Sequence, residues 1–402
     1  MKVFLFDKLA GLLEGTSENG ITFTYDSAYI ASGGQPLSIS LPLQSGSFSQ
    51  KQCLPFFEGL LPEGDLRKAV ADHLHISDRS VLKLLGALGK ECAGTVSIAV
   101  ERARHQMPKY KAITNAEIAE MIRNRPFRPF IHGNDEVRLS LAGAQDKIAL
   151  AYINGKWHLP LNGAPSTHIL KPSRDADLFK TIAANEFVCM KLAAACGLNV
   201  PRCDLTDFAG YPVFIAERYD RHIVGKVVKR LHQEDVCQAL GIHPDNKYES
   251  DGGPSVTTIV QLLEKYSSQP ILDIQHLLKS VLFNFVIGNC DAHGKNFSLL
   301  ENDGQIQLSP LYDLVSTLMY PGLTQKFSMK IGKRYDTRKI NWSDFLEMGT
   351  QCKITGKALQ KIRDAMTPII LDKLEEMESV PKYGEVAGKI KIVAKTQLAK
   401  LN

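Results

Sequence analysis

The hydrophobic pattern changes character along the chain. Near the start, short apolar or alternating runs are broken by turn residues. MKVFLFD, ITFTYDSAYI, LSISLPLQ before Pro42 and GTVSIAV predict strands, while Asp65 to His75 and Val81 to Leu88 carry helical spacing. A second block opens with a helix over Asn115 to Asn124, where Thr114 and Glu117 stand at capping-box spacing. The Pro- and Arg-rich RNRPFRPF reads as a linker, and VRLSL, DKIALAYI, KWHLP and THILK predict strands. A helix is expected from Ala176 to Cys196, with Leu178, Ile182, Val188 and Leu192 apolar and Gly197 where a C-terminal cap belongs. VPRCDLTDF and YPVFIAERYD predict paired strands that turn at Gly210. From residue 223 the pattern becomes helical: Leu278, Val281, Leu282, Phe285 and Val286 recur at helical spacing, and 357–378 and 384–400 read as helices. A strand-rich block followed by a helix-rich one predicts two lobes with a cleft between them. The expected divisions are 1–105, 106–222 and 223–402.

Composition narrows the class. A chain of 402 residues, 44% hydrophobic and 23% charged, buries a sizeable core and is neither disordered nor fibrous. The net charge of +5 allows a basic patch without requiring nucleic acid. No long uninterrupted apolar run predicts a membrane span, and Asp7 and Lys8 interrupt the N-terminal apolar run too early for an export signal. The eight cysteines form no CxxC pair, so buried free thiols and a cytoplasmic location are expected.

The sharpest chemical signal is Asn289-Cys-Asp291-Ala-His293-Gly-Lys295-Asn296, directly after an apolar helix. An Asp followed five residues later by an Asn has the spacing of a kinase catalytic loop. Asp291 would orient or accept the proton of an attacking hydroxyl. Asn296 would offer a neutral oxygen to Mg²⁺, and Lys295 would offset charge on a moving phosphoryl group. Ser309-Pro-Leu-Tyr-Asp313-Leu follows the predicted strand QIQL, placing a second carboxylate, Asp313, where kinases keep a metal-binding Asp. Lys171 ends the apolar strand THILK and is the candidate for nucleotide phosphates, with Glu186 as its helix partner. Arg138 to Lys147 is a small-residue turn, with Ser140 within it, that would bring Ala142, Gly143, Ala144, Gln145 and Lys147 to phosphate oxygens. Glu217 and Tyr219, in ERYD, fall where a linker between lobes would meet adenine. Each element alone is weak. Their order (Gly-containing turn, strand Lys, helix Glu, linker, DxxxxN, Asp) is the order of a kinase.

At these residues the chain resembles the HipA-like serine/threonine kinases, the toxins of HipBA-type toxin–antitoxin modules. The matching stretches are LSLAGAQDKIAL, THILKP, ANEFVC, GLNVP, ERYDR, LHQEDVCQALG, KYESDGGPS, IGNCDAHGKNFS and SPLYDL, with PLSISLPLQ, FFEGLLPEG and GKECAGTVSI in the N-terminal block. The resemblance implies an α+β, two-lobed kinase-like fold: a small β-rich N-terminal subdomain, a kinase N-lobe and an all-helical C-lobe. It implies ATP and Mg²⁺ as cofactors, Asp291 as catalytic residue, Asn296 and Asp313 on the metal, Lys171 on the phosphates and the Glu217–Tyr219 backbone on adenine. It further implies inhibitory autophosphorylation at Ser140, where about −1.5 to −2 of added charge would repel nucleotide phosphates. The implied partners are a small helix-turn-helix, HipB-like antitoxin, operator DNA through that antitoxin, and a protein substrate of the aminoacyl-tRNA synthetase class, whose phosphorylation drives growth arrest and persistence. Ala292 and Gly294 stand in the reverse of the order family members often show.

Two other readings compete. A non-catalytic, kinase-like co-repressor is opposed by the intact Lys171, Asp291, Asn296 and Asp313. A small-molecule kinase leaves the N-terminal block and KYESDGGPS unexplained. That stretch reads only as a structured acidic loop near the cleft. The lysines of Pro381 to Asn402 read as a solvated helix face, with a DNA-backbone patch as the alternative.

Overall fold

The computed structural model describes residues 1–15, 20–99, 109–124, 147–173, 179–225 and 227–401. Strands β1 (Lys2–Leu5), β2 (Lys8–Gly15) and β3 (Ile21–Tyr25) form an antiparallel meander, and β4 (Val96–Ala99) returns to the free edge of β1. Helices α1 (Ser27–Ala31), α2 (Gln50–Gly59), α3 (Gly64–His73) and α4 (Val81–Leu88) lie between β3 and β4 in the chain. Phe23, Phe48, Phe56, Phe57, Leu84 and Leu85 form the buried core of this region.

Several local expectations change here. ITFTYDSAYI is a strand only to Tyr25, because the Asp26 carboxylate caps α1 through the Ala28 and Tyr29 N–H groups. LSISLPLQ is not a strand. Its backbone folds around the buried Tyr25 hydroxyl, which accepts the Leu37 N–H (2.7 Å) and donates to the Leu41 carbonyl (2.5 Å). Helix α2 carries Pro55 in its interior, so the usual helix-breaking signal hid it.

Strand β5 (Lys109–Ala112) and helix α5 (Asn115–Arg123) follow, the latter with the expected Thr114–Glu117 capping box. β6 (Ile148–Ile153), β7 (Lys156–Leu161) and β8 (His168–Pro172) answer to the strands expected in DKIALAYI, KWHLP and THILK, and VRLSL lies outside the described residues. Helix α6 (Ile182–Ala195) occupies the end of the expected 176–196 helix and closes against Gly197 at φ +69°. β9 (Cys203–Phe208) and β10 (Tyr211–Glu217) pair around Gly210, and the sheet runs β5-β7-β6-β8-β10-β9.

The remaining elements are β11 (Arg221–Val224), β12 (Val227–Arg230), β13 (His232–Asp235), α7 (Val236–Leu240), α8 (Val256–Tyr266), α9 (Pro270–Ile287), β14 (Ser298–Asn302), β15 (Gln305–Leu308), β16 (Lys326–Ile331), β17 (Arg334–Asp336), α10 (Trp342–Gln351), α11 (Gly356–Glu378) and α12 (Gly384–Leu398). The helical portion thus also holds the hairpins β14–β15 and β16–β17.

Contacts divide the chain into two compact units. The first comprises Met1–Pro172, Asp207–Tyr211 and Ile215–Asp245; the second comprises Ser173–Thr206, Pro212–Phe214 and Asn246–Asn402. Residues 223–245 are therefore not the start of the helical block. They bind the N-terminal region through polar side chains. Glu234 accepts the Ser38 hydroxyl and the Ile39 N–H, Gln238 Nε2 donates to the Phe56 carbonyl (2.9 Å), and His243 meets Glu58 (2.5 Å). In the second unit α12 packs on α9 and α11, and Phe285 of α9 meets Phe345 edge-on at 5.2 Å. Helix α9 is long and apolar enough to cross a membrane by composition, but 67% of that window is buried within the protein.

Candidate active site

The catalytic-loop candidates sit together in the second unit. Helix α9 ends at Gly288, whose φ of +69° and close approach to Leu318 and Val393 exclude a side chain. The chain then turns sharply. Asn289 donates through Nδ2 to Asn284 Oδ1 (2.9 Å), and its own Oδ1 accepts the Asp291 N–H (3.1 Å). The Asp291 carbonyl accepts the His293 N–H (2.9 Å), and the His293 carbonyl accepts the Asn296 N–H (2.9 Å). This winding leaves Asp291 exposed while His293 and Lys295 are buried. Burial pushes the Cys290 thiol up to about 11, so the neighbouring cysteine stays a neutral thiol and is no nucleophile.

The Asp313 loop is bonded to this loop along its length. Tyr312 donates its hydroxyl to the Lys295 carbonyl (2.7 Å) and accepts from the Ser298 hydroxyl (2.6 Å). Thr317 Oγ1 accepts the Cys290 N–H (2.8 Å) and donates to the Gly288 carbonyl (3.0 Å). Asp313 itself stands at φ +55°, a backbone region costly for a side chain other than glycine. From α6, Asn185 holds the far end of the loop: its Nδ2 donates to the Ser316 carbonyl (3.0 Å) and its Oδ1 accepts the Ser316 N–H (2.9 Å). The Asn199 carbonyl accepts the Leu311 N–H (2.8 Å) at the near end. Asn185, Tyr312 and Thr317 were not singled out in the sequence. Their signal was the company they keep: Asn185 precedes Glu186, and Tyr312 precedes Asp313. Glu186 is buried on α6 in the same unit as Asp291, Lys295, Asn296 and Asp313.

The first unit carries the other candidates. β6 and β8 pair Ile148 with Leu170, so continuing the antiparallel register sets Lys147 opposite Lys171. Two lysines side by side at one sheet end suit an anionic ligand. His168 on the same strand is held neutral, burial lowering it to about 4. Glu217 is exposed at the end of β10 and Tyr219 is half-buried. Ser140, Ala142, Gly143, Ala144 and Gln145 lie outside the described residues.

The rest of ERYDR is structural. Arg218, Asp220 and Arg221 are buried with Glu91. Arg218 reaches Glu91 at 3.2 Å and Asp220 at 2.8 Å; Arg221 reaches the same two at 3.1 and 2.8 Å; Arg230 completes the set on Glu91. Burial alone would raise the Glu91 carboxyl, but the charges of Arg230, Arg221 and Arg218 outweigh it and hold it near about 2. In the sequence Glu91 stands only as one residue of the matching stretch GKECAGTVSI.

The eight cysteines are free and seven are buried, and no cluster of three or more His, Cys, Asp or Glu fit for a metal occurs among the described residues. The C-terminal lysines are largely engaged within the second unit. Lys382 bonds the Leu205 carbonyl, Lys389 pairs with Glu385 (2.7 Å), Lys391 with Glu375 and Glu378, and Lys400 bonds the Thr337 carbonyl (2.9 Å). That pairing fits a solvated helix face better than a phosphate-binding patch.

The chain is similar to known proteins along most of its length. The HipA-like C-terminal domain matches residues 139–374 and the HipA N-terminal domain matches residues 1–99. The chain is 37% identical to a protein of Sinorhizobium fredii named putative kinase Y4mE, over 94% of this chain and 92% of that one. It is 33% identical to the serine/threonine-protein kinase toxin HipA of Shewanella oneidensis, over 76% of this chain and 72% of the relative. A solved complex of Shewanella oneidensis HipA, HipB and operator DNA contains a chain that superposes with a TM-score of 0.84 at 26% identity, covering 100% of this chain and 97% of that one. With both of its domains matched and its loops built as described, this chain belongs to the HipA family.

Proposed function

We propose that this chain is an ATP- and Mg²⁺-dependent serine/threonine protein kinase acting as a growth-arrest toxin. The observation that carries the reading is the bonding of the Asp291–Asn296 loop to the Asp313 loop through Tyr312 and Thr317. It supports one rigid arrangement for a base, an amide oxygen and a second carboxylate. Asn296 and Asp313 offer the hard oxygen donors that Mg²⁺ takes, so the donor set fits the metal and these two would hold it. The bound ion would supply neutralisation of nucleotide phosphate charge. Asp291, exposed at the turn of its loop, would orient the substrate hydroxyl and take its proton on a carboxylate oxygen. Buried Lys295 would offset negative charge on the moving phosphoryl group. Lys171 and Lys147 would hold the phosphates with Ala142, Gly143, Ala144 and Gln145. The Glu217–Tyr219 backbone would read adenine.

The relatives' names support a HipB-like antitoxin as partner, with operator DNA reached through it. An aminoacyl-tRNA synthetase is the proposed substrate, and Ser140 the proposed self-inhibitory site. The test is intact mass and phosphosite mapping of wild type and Asp291→Asn after incubation with Mg-ATP. One phosphate on Ser140 in wild type alone is the expected result. Equal phosphorylation of both proteins would remove Asp291 from its role. No phosphate on either, with no ATP binding by calorimetry, would favour a non-catalytic co-repressor.

A further inference from the structure

The KYESDGGPS stretch, Lys247 to Ser255, has no role in the mechanism so far. It folds as a tight loop pressed on the catalytic loop, within the same unit. The Lys247 carbonyl accepts the Gly294 N–H (3.1 Å), joining the two loops through backbone. Gly253 turns the loop back on itself. Its N–H bonds the Tyr248 carbonyl (2.8 Å), and a Cβ there would lie 2.4 Å from the Asn246 carbonyl oxygen, so only glycine fits. Glu249 ties the loop to β16, accepting the Lys330 N–H (2.6 Å). The element thus fixed is Tyr248. Its ring meets the His293 imidazole edge-on at 5.2 Å, and its hydroxyl donates to Asp291 Oδ1 at 2.8 Å.

We propose that Tyr248 is a positioning residue for the Asp291 carboxylate. Its hydroxyl fixes the carboxylate plane by occupying Oδ1, and among the described residues no group bonds Oδ2, which is left to face the substrate hydroxyl. A carboxylate that rotates freely presents either oxygen in many orientations, and proton transfer needs one of them held. The proposal rests on Asp291 acting as the proton acceptor. It accounts for the length and composition of the stretch: Lys247 and Glu249 anchor it, the glycines close it, and Tyr248 delivers the hydroxyl.

The experiment compares wild type, Tyr248→Phe, Glu249→Ala, the double variant of these two, and Asp291→Asn. Labelled phosphate transferred from γ-labelled Mg-ATP, to the chain or to water, is followed over a range of ATP concentrations, with melting temperature measured alongside. Tyr248→Phe keeps the ring against His293 and removes only the hydroxyl. It is expected to lower kcat about five- to tenfold with the KM for ATP and the melting temperature unchanged. Glu249→Ala loosens the loop that delivers the hydroxyl, so it is expected to lower kcat no more than Tyr248→Phe does, and the double variant is expected to match Tyr248→Phe. A wild-type kcat in Tyr248→Phe, with Asp291→Asn inactive, overturns the proposal and leaves the kinase reading standing. A double variant more than about twofold slower than Tyr248→Phe also overturns it, because the loop would then act on kcat apart from the hydroxyl. Full activity of Asp291→Asn overturns the reading itself and this proposal with it.

Discussion

At the scale of single residues, His232 is the clearest buried titratable group in the first unit. Its Nε2 lies 3.0 Å from the Leu37 carbonyl and its Nδ1 3.2 Å from the Thr95 hydroxyl. A neutral ring satisfies both contacts, donating from Nε2 and accepting at Nδ1. Burial lowers its pKa from 6.5 to about 4. In the unfolded chain the ring takes a proton as pH falls below 6.5, while the folded chain resists until about 4. The stabilising contribution is therefore complete above pH 6.5 and is lost as pH falls through this window, at up to ~1.4 kcal/mol per pH unit. His168 has its own pKa lowered to about 4 by burial and adds to the slope. Glu91 enters only at the acid end of this window, because the unfolded chain protonates its carboxyl near the ordinary value of 4.5 while the folded chain keeps it charged down to about 2. Urea unfolding between pH 7 and 4 should show a falling midpoint, and His232→Gln should flatten roughly half of that fall. An unchanged pH slope in the variant would place the acid sensitivity elsewhere.

At the scale of elements, the loop bearing Asp313 keeps its strained backbone because helix α6 and the Asp291–Asn296 loop hold it. Asn185 supplies the α6 side of that grip with a donor and an acceptor to the backbone C=O and N–H of one residue, Ser316. Asn185→Leu keeps the volume and removes both bonds, leaving a buried N–H and a buried C=O without partners. A loss of ~2–5 kcal/mol is expected by thermal or urea melting. In the surviving folded fraction, the Mg²⁺ concentration needed for half-maximal activity should rise, since Asp313 relaxes from its left-handed backbone. Stability loss with unchanged Mg²⁺ dependence would make Asn185 a packing residue only. The elements show what was legible in the sequence. Helix α4, the α5 capping box and the β9–β10 hairpin were readable, because periodicity, a cap and a turn residue are local signals. DxxxxN and the later Asp were also readable as a pair. Asn185 was not, because its partner lies 131 residues away and a polar residue on an apolar helix has no local explanation. LSISLPLQ misled for the same reason: its alternation suits a strand, but Tyr25 offers its backbone better-placed bonds than a neighbouring strand does.

At the scale of the whole molecule, the chain returns after residue 215 to the unit it began in, and a buried charge network holds that return. Glu91 follows helix α4 in the N-terminal block. Arg218, Asp220, Arg221 and Arg230 arrive from β10 to β12, and the Asp220 carboxylate also accepts the Gly94 N–H (2.8 Å). The network holds three guanidinium groups against two carboxylates, and Glu91 touches all three cations. Glu91→Gln leaves Arg218, Arg221 and Arg230 to share Asp220 alone inside the protein. Removing one partner from such a buried set costs roughly 3–5 kcal/mol, far more than the modest worth of an exposed pair. Arg230 is the most exposed of the three, so Arg230→Gln should be milder, and by removing the excess cation it should recover part of the Glu91→Gln loss. The double variant is therefore expected to be more stable than the sum of the two single losses, by about 1 kcal/mol or more in a urea cycle. Strict additivity would mean that Arg230 and Glu91 do not act on each other, and that the N-terminal block is held by the Ser38, Phe56 and Glu58 contacts to residues 234–243 instead.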